Sequence, residues 1–290
     1  MVNNKTKIFI SNDPKTLDEK LSEFAATATV EAEYGDTLVR GSVLTLAHHG
    51  INKDNPAPCV CDNINLPHMI EAIGISHFDL DTLGGIMAIY GLKDSNHSPL
   101  EFHIDDWNQA ALIDTDGIHR REPTIKINAF YAYSEKNRIN APRDGSVEDV
   151  TDRVMAAADY IRTIDDIKLA NGRDWEKARE ELKFESLINE FKGVALRSSD
   201  RFVNHLYSQD IHTIVGFNKK TGSITISTRL EDIPEEINCR TLVQKLWGTE
   251  AGGHAGIAGS PRGVAYDIEN AKEAFGFVIN ERKRYWEPKK

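Results

Sequence analysis

The sequence predicts an α/β protein with two α/β domains, and three observations support this fold class. Short apolar segments at 7–10, 39–47 and 73–75 are typical of strands, and helical patterns lie between them. The second and third of these strands run directly into turns rich in histidine and aspartate. A further group of strands follows residue 196. Alternating strands and helices are typical of α/β domains, whose ligands lie beyond the carboxyl ends of strands.

The predicted boundaries divide the 290 residues into a metal-binding catalytic domain at 1–145, a helical connector at 146–195 and a substrate-binding domain at 196–290. A metal cleft is expected between the two domains. The connector is predicted to be helical from Ser146 to about Phe191, with a break near Asn171-Gly172. A chain of this length buries a sizeable core without disulfides or structural metals.

The remaining elements follow from local signals. Thr16-Leu17-Asp18-Glu19 matches a capping box and predicts a helix from there to about Ala26. Further elements are predicted as helices at 67–72, 83–92 and 238–246, a strand at 99–104, loops at 52–58 and 138–145, and a hairpin of strands at 211–217 and 223–229.

Composition excludes several classes of protein. The formal net charge of −10 disfavours general nucleic-acid binding, because that requires a positive surface. The three cysteines, Cys59, Cys61 and Cys239, do not form a disulfide framework. The sequence has neither a signal-peptide pattern nor a run of about 18 apolar residues. We therefore expect a cytoplasmic protein that does not enter a membrane, and the sequence is compatible with a homodimer.

The segment His77-Phe78-Asp79-Leu80-Asp81 carries the strongest metal signal. In an extended chain the imidazole and both carboxylates project to one side, while Phe78 and Leu80 face the core. One nitrogen and two hard oxygens suit Mn²⁺ or Mg²⁺, and carboxylates this close repel each other unless a cation neutralises them. His77, Asp79 and Asp81 are therefore predicted metal ligands. The alternative is a strand end with solvated side chains.

Adjacent histidines follow the strand at 39–47. Of His48 and His49, one can bind a metal while the other donates to a phosphate oxygen or leaving group, so both are predicted catalytic residues and His49 is also a predicted ligand. A two-metal centre needs several carboxylates, one of them bridging. Asp105 and Asp114 are predicted to supply them. The set from which they are drawn also contains Asp106, Asp116 and His119.

A glycine-rich segment at 252–263 follows the hairpin. Glycines let backbone N–H groups approach an anion closely, and an arginine grips phosphate with two parallel hydrogen bonds. A plain flexible loop is the alternative interpretation. The predicted substrate-binding residues are Ser227, Arg229, Gly252, Gly253, His254 and Arg262.

The order of motifs in residues 196–290 resembles the C-terminal domain associated with DHH-family phosphoesterases. That domain has a hairpin, a strand with Ser-x-Arg, a helix and then Gly-Gly-His-x-x-Ala-Ala-Gly. Here Ser227-Thr228-Arg229 is followed by a helical segment and by Gly252-Gly253-His254. Ala258-Gly259 stands at the final Ala-Gly, with Ile257 in place of the first Ala.

The N-terminal half is similar to the catalytic domain of the same family. His77-x-Asp79-x-Asp81 is similar to its first metal motif, and Ala47-His48-His49 to its Asp-His-His motif. The second motif here precedes the first and has Ala in place of Asp, which indicates either a circular rearrangement or an accidental match. For the remaining acidic motifs, the resemblance leaves Asp105, Asp106, Asp114 and Asp159 open.

The resemblance implies a phosphoesterase that uses two Mn²⁺ or Mg²⁺ ions to hydrolyse a small phosphorylated nucleotide or a short oligonucleotide. One alternative is a pyrophosphate or polyphosphate hydrolase, which needs no recognition of a base. The other is a catalytically inactive nucleotide-binding regulator, because the Asp-His-His motif lacks its Asp.

Overall fold

A computed structural model of the chain describes residues 6–34, 37–39, 41–48, 52, 54–64, 70–93, 102–116, 121–201, 206–207, 210–230, 233–261 and 263–286. The predicted α/β class is confirmed, because two main sheets are present together with helices. The chain divides into two compact units. Unit 1 comprises Met1–Asp114 and Pro123–Trp175, and unit 2 comprises Thr115–Glu122 and Glu176–Lys290. The domain boundaries given by the sequence remain a prediction.

Unit 1 is built on a five-stranded sheet of order β5-β2-β6-β1-β7, and β3 and β4 form a separate pair. Its strands are β1 (Lys7–Ile10), β2 (Thr27–Val30), β3 (Glu33–Tyr34), β4 (Thr37–Leu38), β5 (Leu44–Leu46), β6 (Ala72–Ile75) and β7 (Glu148–Asp149). Within the five-stranded sheet β1, β2, β5 and β6 run parallel, and β7 is antiparallel to β1; β3 and β4 are antiparallel to each other. The isoleucines of β1 and β6 are buried, as expected for the inner strands of a parallel sheet.

The helices in the first part of the chain differ from the prediction in two ways, because two of them, at Ile104–Asp116 and Ile125–Lys136, were not predicted and the others begin at different residues. They are α1 (Pro14–Leu21), α2 (Leu80–Tyr90), α3 (Ile104–Asp116), α4 (Ile125–Lys136), α5 (Thr151–Arg162) and α6 (Asp166–Glu185). Helix α1 begins before the predicted capping box, because the Asp13 side chain accepts a hydrogen bond from the backbone N–H of Thr16 at 2.9 Å. The helix ends before 26, and the unpredicted strand β2 follows.

Two predicted elements of unit 1 are wrong over the described residues. Ile104, the last residue of a predicted strand, instead begins α3. Ala72, the last residue of the helix predicted at 67–72, belongs to strand β6, and residues 65–69 lie outside the described part. The break predicted at Asn171-Gly172 is absent, since both residues lie inside α6. A Cβ on Gly172 would lie 2.6 Å from the carbonyl oxygen of Ile125, so this glycine permits close contact with α4.

Unit 2 contains a six-stranded sheet of order β12-β13-β11-β10-β9-β8. Its elements are β8 (Leu187–Phe191), β9 (Val194–Ser199), β10 (Thr213–Asn218), β11 (Ile224–Thr228), α7 (Cys239–Trp247), β12 (Gly252–Gly253), β13 (Ile257–Gly259) and α8 (Ile268–Trp286). The predicted hairpin is confirmed as the antiparallel pair β10 and β11, and the predicted helix at 238–246 is confirmed as α7. The helical prediction up to residue 191 is wrong at its end, where β8 is an edge strand.

Among the described residues, none of the helices combines the length and the apolar character that crossing a membrane requires.

Candidate functional site

Three neighbouring parallel strands of unit 1 deliver polar residues to one edge of the sheet. Glu31 follows β2 directly, His48 lies two residues beyond β5, and His77 lies two residues beyond β6. The order β5-β2-β6 places these three strands side by side. Their carboxyl ends therefore meet at the position where ligands bind in open α/β sheets.

Four side chains come together at this edge, and we call Glu31, His48, Asp81 and Asp114 the acidic cluster. The Nε2 atom of His48 lies 2.9 Å from Oδ2 of Asp114, 3.4 Å from Oδ2 of Asp81 and 3.9 Å from Oε1 of Glu31. Glu31, His48 and Asp81 are buried and offer ligand atoms that all lie within 4.8 Å of one another. The structure thus brings together the predicted residues His48, Asp81 and Asp114.

The charge of the acidic cluster suits a divalent cation. Burial alone would lower the pKa of His48, but hydrogen bonds to Asp114 and Asp81 and the charge of Glu31 raise it to about 10. Even a protonated His48 supplies only one positive charge against the three carboxylates around it. Buried charges are costly unless they are neutralised. Carboxylate oxygens with one imidazole nitrogen are ligands that fit Mn²⁺ or Mg²⁺.

Glu31 is the member of the acidic cluster that the sequence did not reveal. Its backbone is left-handed, with φ of 47°, which is uncommon for a residue other than glycine. The hydroxyl of Ser76 donates to its carbonyl oxygen, and its own N–H donates to the carbonyl of Leu46 at 2.9 Å. These bonds tie the end of β2 to both neighbouring strands. The only available signal was an acid directly after the short segment Thr27–Val30.

His77 and Asp79 pair with each other beside the acidic cluster. Their Nε2 and Oδ2 atoms are 3.2 Å apart, and the side chains are 42% and 37% exposed. Burial opposes protonation of His77, but the adjacent Asp79, with smaller contributions from Glu31 and Asp114, raises its pKa to about 9. Burial likewise opposes ionisation of Asp79, yet the charge of His77 lowers the pKa of that carboxyl below its usual value.

The expected geometry of the 77–81 segment is wrong, because the chain is not extended throughout. Helix α2 begins at Leu80, and Oδ1 of Asp79 caps it by accepting from the N–H of Thr82 at 2.8 Å. Asp81 therefore reaches the acidic cluster from the first turn of a helix. The predicted burial of Leu80 is confirmed, whereas Phe78 is half-buried and packs near Phe130.

The structure does not bring Asp105 to the acidic cluster. Asp105 is exposed in the first turn of α3, nine residues before Asp114, which is about 13 Å along a helix. Of the other acids considered, Asp106 forms an ion pair with Lys126 at 3.0 Å, and Asp159 is exposed on α5. His49, His119 and Arg262, as well as the side chain of Asp116, lie outside the described residues.

A short segment, residues 57–64, holds the Asp81 oxygen that does not face His48, and we call this segment the strap. A turn of 3-10 helix at Pro58–Val60 lies against α2, where the N–H of Cys59 donates to Oδ1 of Asp81 at 2.8 Å. A Cβ on Gly84 would lie 2.5 Å from Cβ of Cys59, and one on Gly85 would lie 2.7 Å from Cβ of Pro58. Two adjacent glycines in α2 thus permit this close approach.

The predicted substrate-binding residues Ser227 and Arg229 lie at the end of β11 in unit 2. The Ser227 hydroxyl is buried and accepts a hydrogen bond from the Tyr207 hydroxyl at 2.6 Å. The guanidinium of Arg229 lies 5.9 Å from the centre of the Tyr207 ring, a cation–π distance. Burial raises the pKa of Tyr207, so its hydroxyl stays protonated and keeps donating. The Tyr207 ring, whose position is fixed by the hydrogen bond to Ser227, therefore stabilises the position of Arg229.

The glycine-rich segment forms an exposed hairpin at the edge of the second sheet. The N–H of His254 donates to the carbonyl of Ile257 at 2.7 Å, and His254 is exposed. Gly253 precedes it in the hairpin, pairs with Ala258 and has φ of 142°, a backbone conformation that favours glycine.

The sequence matches no family model and no curated protein. Two solved structures resemble the chain over nearly their whole lengths. The pGpG-specific phosphodiesterase PggH from Vibrio cholerae is 13% identical with a TM-score of 0.43, and the match covers 97% of this chain and 99% of that chain. An exopolyphosphatase-related protein from Bacteroides fragilis is 11% identical with a TM-score of 0.32, and the match covers 93% of this chain and 97% of that chain. Similarity at this level leaves the activity to be inferred from the side chains of the chain itself.

Proposed function

We propose that the protein is a metal-dependent phosphoesterase of the DHH type, which hydrolyses a small phosphorylated nucleotide or a short oligonucleotide. The observation that carries the proposal is the acidic cluster, in which three carboxylates surround the imidazole of His48 at the carboxyl ends of parallel strands. The order of motifs in residues 196–290 and the presence of His77-x-Asp79-x-Asp81 in the N-terminal half support the same class of enzyme.

The acidic cluster is the proposed site of one cation. A divalent cation at such a site supplies Lewis-acid polarisation of a phosphoryl oxygen and makes a nucleophile from water near neutral pH. It would be held by four residues, His48, Asp81, Asp114 and Glu31. His48 would be neutral, and its Nε2 atom would ligate the metal. The partly exposed pair of His77 and Asp79 is the proposed site of the second ion.

Proton transfer at the leaving oxygen is assigned in this proposal to His49, which the sequence predicts both as a catalytic residue and as a metal ligand. In this proposal His48 binds the metal, and His49, its neighbour in the sequence, donates a proton to the leaving oxygen. This division follows from the structure of His48, whose Nε2 already faces three carboxylates and is poorly placed to serve substrate as well.

Unit 2 is proposed to bind the part of the substrate that does not react. The guanidinium of Arg229 would bind a phosphate, because it offers two parallel donors. The backbone N–H of Gly253 and the imidazole of His254, in the exposed hairpin of β12 and β13, would add donors. These groups suit a phosphate or the edge of a base, which is why a nucleotide is favoured over pyrophosphate.

Hydrolysis of a substrate panel tests the proposal. Purified protein is assayed with Mn²⁺ or with chelator on a dinucleotide, a cyclic dinucleotide, a 3′,5′-bisphosphate and pyrophosphate. We expect Mn²⁺-dependent turnover of a nucleotide, lost in Asp81→Asn and retained in Asp105→Asn, whose side chain is exposed on α3. Turnover of pyrophosphate alone would refute the nucleotide specificity. Nucleotide-induced thermal stabilisation without any turnover would replace the enzyme by an inactive nucleotide-binding regulator.

A further inference from the structure

Lys93 fastens the strap to the end of helix α2. It follows Gly91, which ends α2 in a left-handed conformation. Its ammonium group donates to the carbonyl oxygens of Cys59 and Cys61, the latter at 2.7 Å, and lies 4.8 Å from the centre of the Trp107 ring. Its backbone N–H donates to Oδ1 of Asn63 at 3.1 Å. One residue thus contacts the strap through both its backbone and its side chain.

The strap in turn fixes one oxygen of Asp81. The N–H of Cys59 donates to Oδ1 of this carboxylate at 2.8 Å, in a fully buried contact. With Oδ1 engaged there, Oδ2 faces His48 at 3.4 Å. The two oxygens of a carboxylate are equivalent, so the hydrogen bond from Cys59 fixes the orientation of the group and not the choice of oxygen. The position of the Cys59 N–H therefore determines how the Asp81 carboxylate presents its second oxygen to the acidic cluster.

We propose that Lys93 is a positioning residue for the metal centre: by holding the Cys59 and Cys61 carbonyls, it keeps the Cys59 N–H aimed at Asp81 and thereby presents Oδ2 to the cation. This inference rests on the proposed function, since it requires that the acidic cluster binds a metal. It goes further by placing a determinant of metal affinity outside the ligands themselves. Groups that orient metal ligands typically contribute about 10- to 100-fold to affinity.

Several features favour positioning over simple stabilisation of the loop. The C-terminal end of the strap is bound to α2 independently of Lys93, because the N–H of Ile64 donates to the carbonyl of Ala88 at 2.9 Å. Removing the Lys93 ammonium would therefore loosen chiefly the segment around Cys59. Burial of a lysine ammonium is unfavourable, and two backbone carbonyls and an aromatic face compensate it here.

The test is the dissociation constant of Mn²⁺, measured by calorimetry on the full chain carrying Lys93→Met. We expect affinity to fall about 10- to 100-fold. The Mn²⁺ concentration for half-maximal hydrolysis should rise by the same factor, while the rate at saturating Mn²⁺ changes little. Lys93→Arg keeps donors for both carbonyls and should restore most of the affinity. Lys93→Gln, which keeps a shorter donor, provides a second variant if Lys93→Met does not fold.

Lys168 offers a matched control in the same unit. Its ammonium group donates to the carbonyl of Thr163 at 2.7 Å and lies 4.8 Å from the centre of the Tyr160 ring, so it shares with Lys93 a carbonyl acceptor and an aromatic ring but does not contact the strap. Lys168→Met should lower the melting temperature of the metal-free protein without changing Mn²⁺ affinity.

The possible outcomes separate the inference from the proposed function. Unchanged Mn²⁺ affinity in Lys93→Met, or an equal loss in Lys168→Met, overturns the positioning role while leaving the metal centre intact. Absence of Mn²⁺ binding by the unmodified chain overturns both. Binding without hydrolysis overturns the enzyme, yet a selective loss of affinity in Lys93→Met still supports the positioning role.

Discussion

The Nε2 atom of His48 lies 2.9 Å from Oδ2 of Asp114, which joins the carboxyl end of a strand to the last turn of helix α3. This contact brings a carboxylate from the end of a helix to the edge of the sheet where strand ends supply Glu31 and His48 and the first turn of α2 supplies Asp81. It also distinguishes Asp114 from the other acid on α3 that the sequence favoured as a ligand, Asp105.

Asp114→Asn should weaken Mn²⁺ binding by more than about tenfold, because it removes a charged oxygen donor beside His48. The measurement is the Mn²⁺-induced rise in melting temperature, which reports binding to the folded state by mass action. Asp105→Asn makes the same chemical change on the exposed start of the same helix and should leave that rise intact. An equal loss in both variants would contradict the assignment of Asp114.

The stability of the metal-free protein should fall as pH rises from about 6.5 to about 10. His48 has its pKa raised from 6.5 to about 10 in the folded protein, so its contribution is complete below 6.5 and disappears as the pH passes 10. His77, with a pKa of about 9, contributes with the same sign. Denaturant unfolding in chelator at several pH values measures this loss, and His48→Gln should flatten the curve. A wild-type curve that rises over this interval would refute the assignment.

Manganese should reverse this pH dependence. A cation competes with the proton on His48, and a second cation competes with the proton on His77, so binding at pH 8 should release about one proton per ion, and affinity should increase with pH. Calorimetry in buffers of different ionisation enthalpy measures the release directly. Binding without proton release would show that the imidazole of His48 is not a ligand.

The sequence predicted which strand ends carry the chemistry better than it predicted the contacts themselves. His48 and Asp81 were identified because each follows an apolar strand, and in a parallel sheet this order alone brings them to one edge. Glu31 was missed because its strand, β2, has only four residues and no turn signal before it. Asp105 and Asp114 were treated alike because helix α3 was not predicted and Ile104 was assigned to a strand. A helix places two residues nine positions apart in different surroundings.

Gly84→Ala should destabilise the protein by about 1–3 kcal/mol, because the added methyl group would overlap a tightly packed site. Its Cβ would lie 2.5 Å from Cβ of Cys59 and 2.9 Å from Cζ3 of Trp107. Gly276 lies inside helix α8 with open space around it, so Gly276→Ala should stabilise by about 0.5–1 kcal/mol. Urea unfolding compares the two variants. Unchanged stability in Gly84→Ala would show that the strap does not pack against α2.

Gly253→Ala should raise KM for the nucleotide substrate more than it lowers kcat, whereas Gly252→Ala should leave both nearly unchanged. Gly253 has φ of 142°, and its Cβ would lie 2.5 Å from the carbonyl oxygen of Ile257, so alanine must distort the hairpin that presents its N–H. Gly252 has open space at its Cβ position, and alanine there keeps the backbone N–H. Steady-state kinetics across Mn²⁺ concentrations separates this effect from metal binding, since the metal ligands lie in unit 1. If both substitutions were harmless, the hairpin would have no part in binding substrate, and Arg229 would remain the proposed anchor in unit 2.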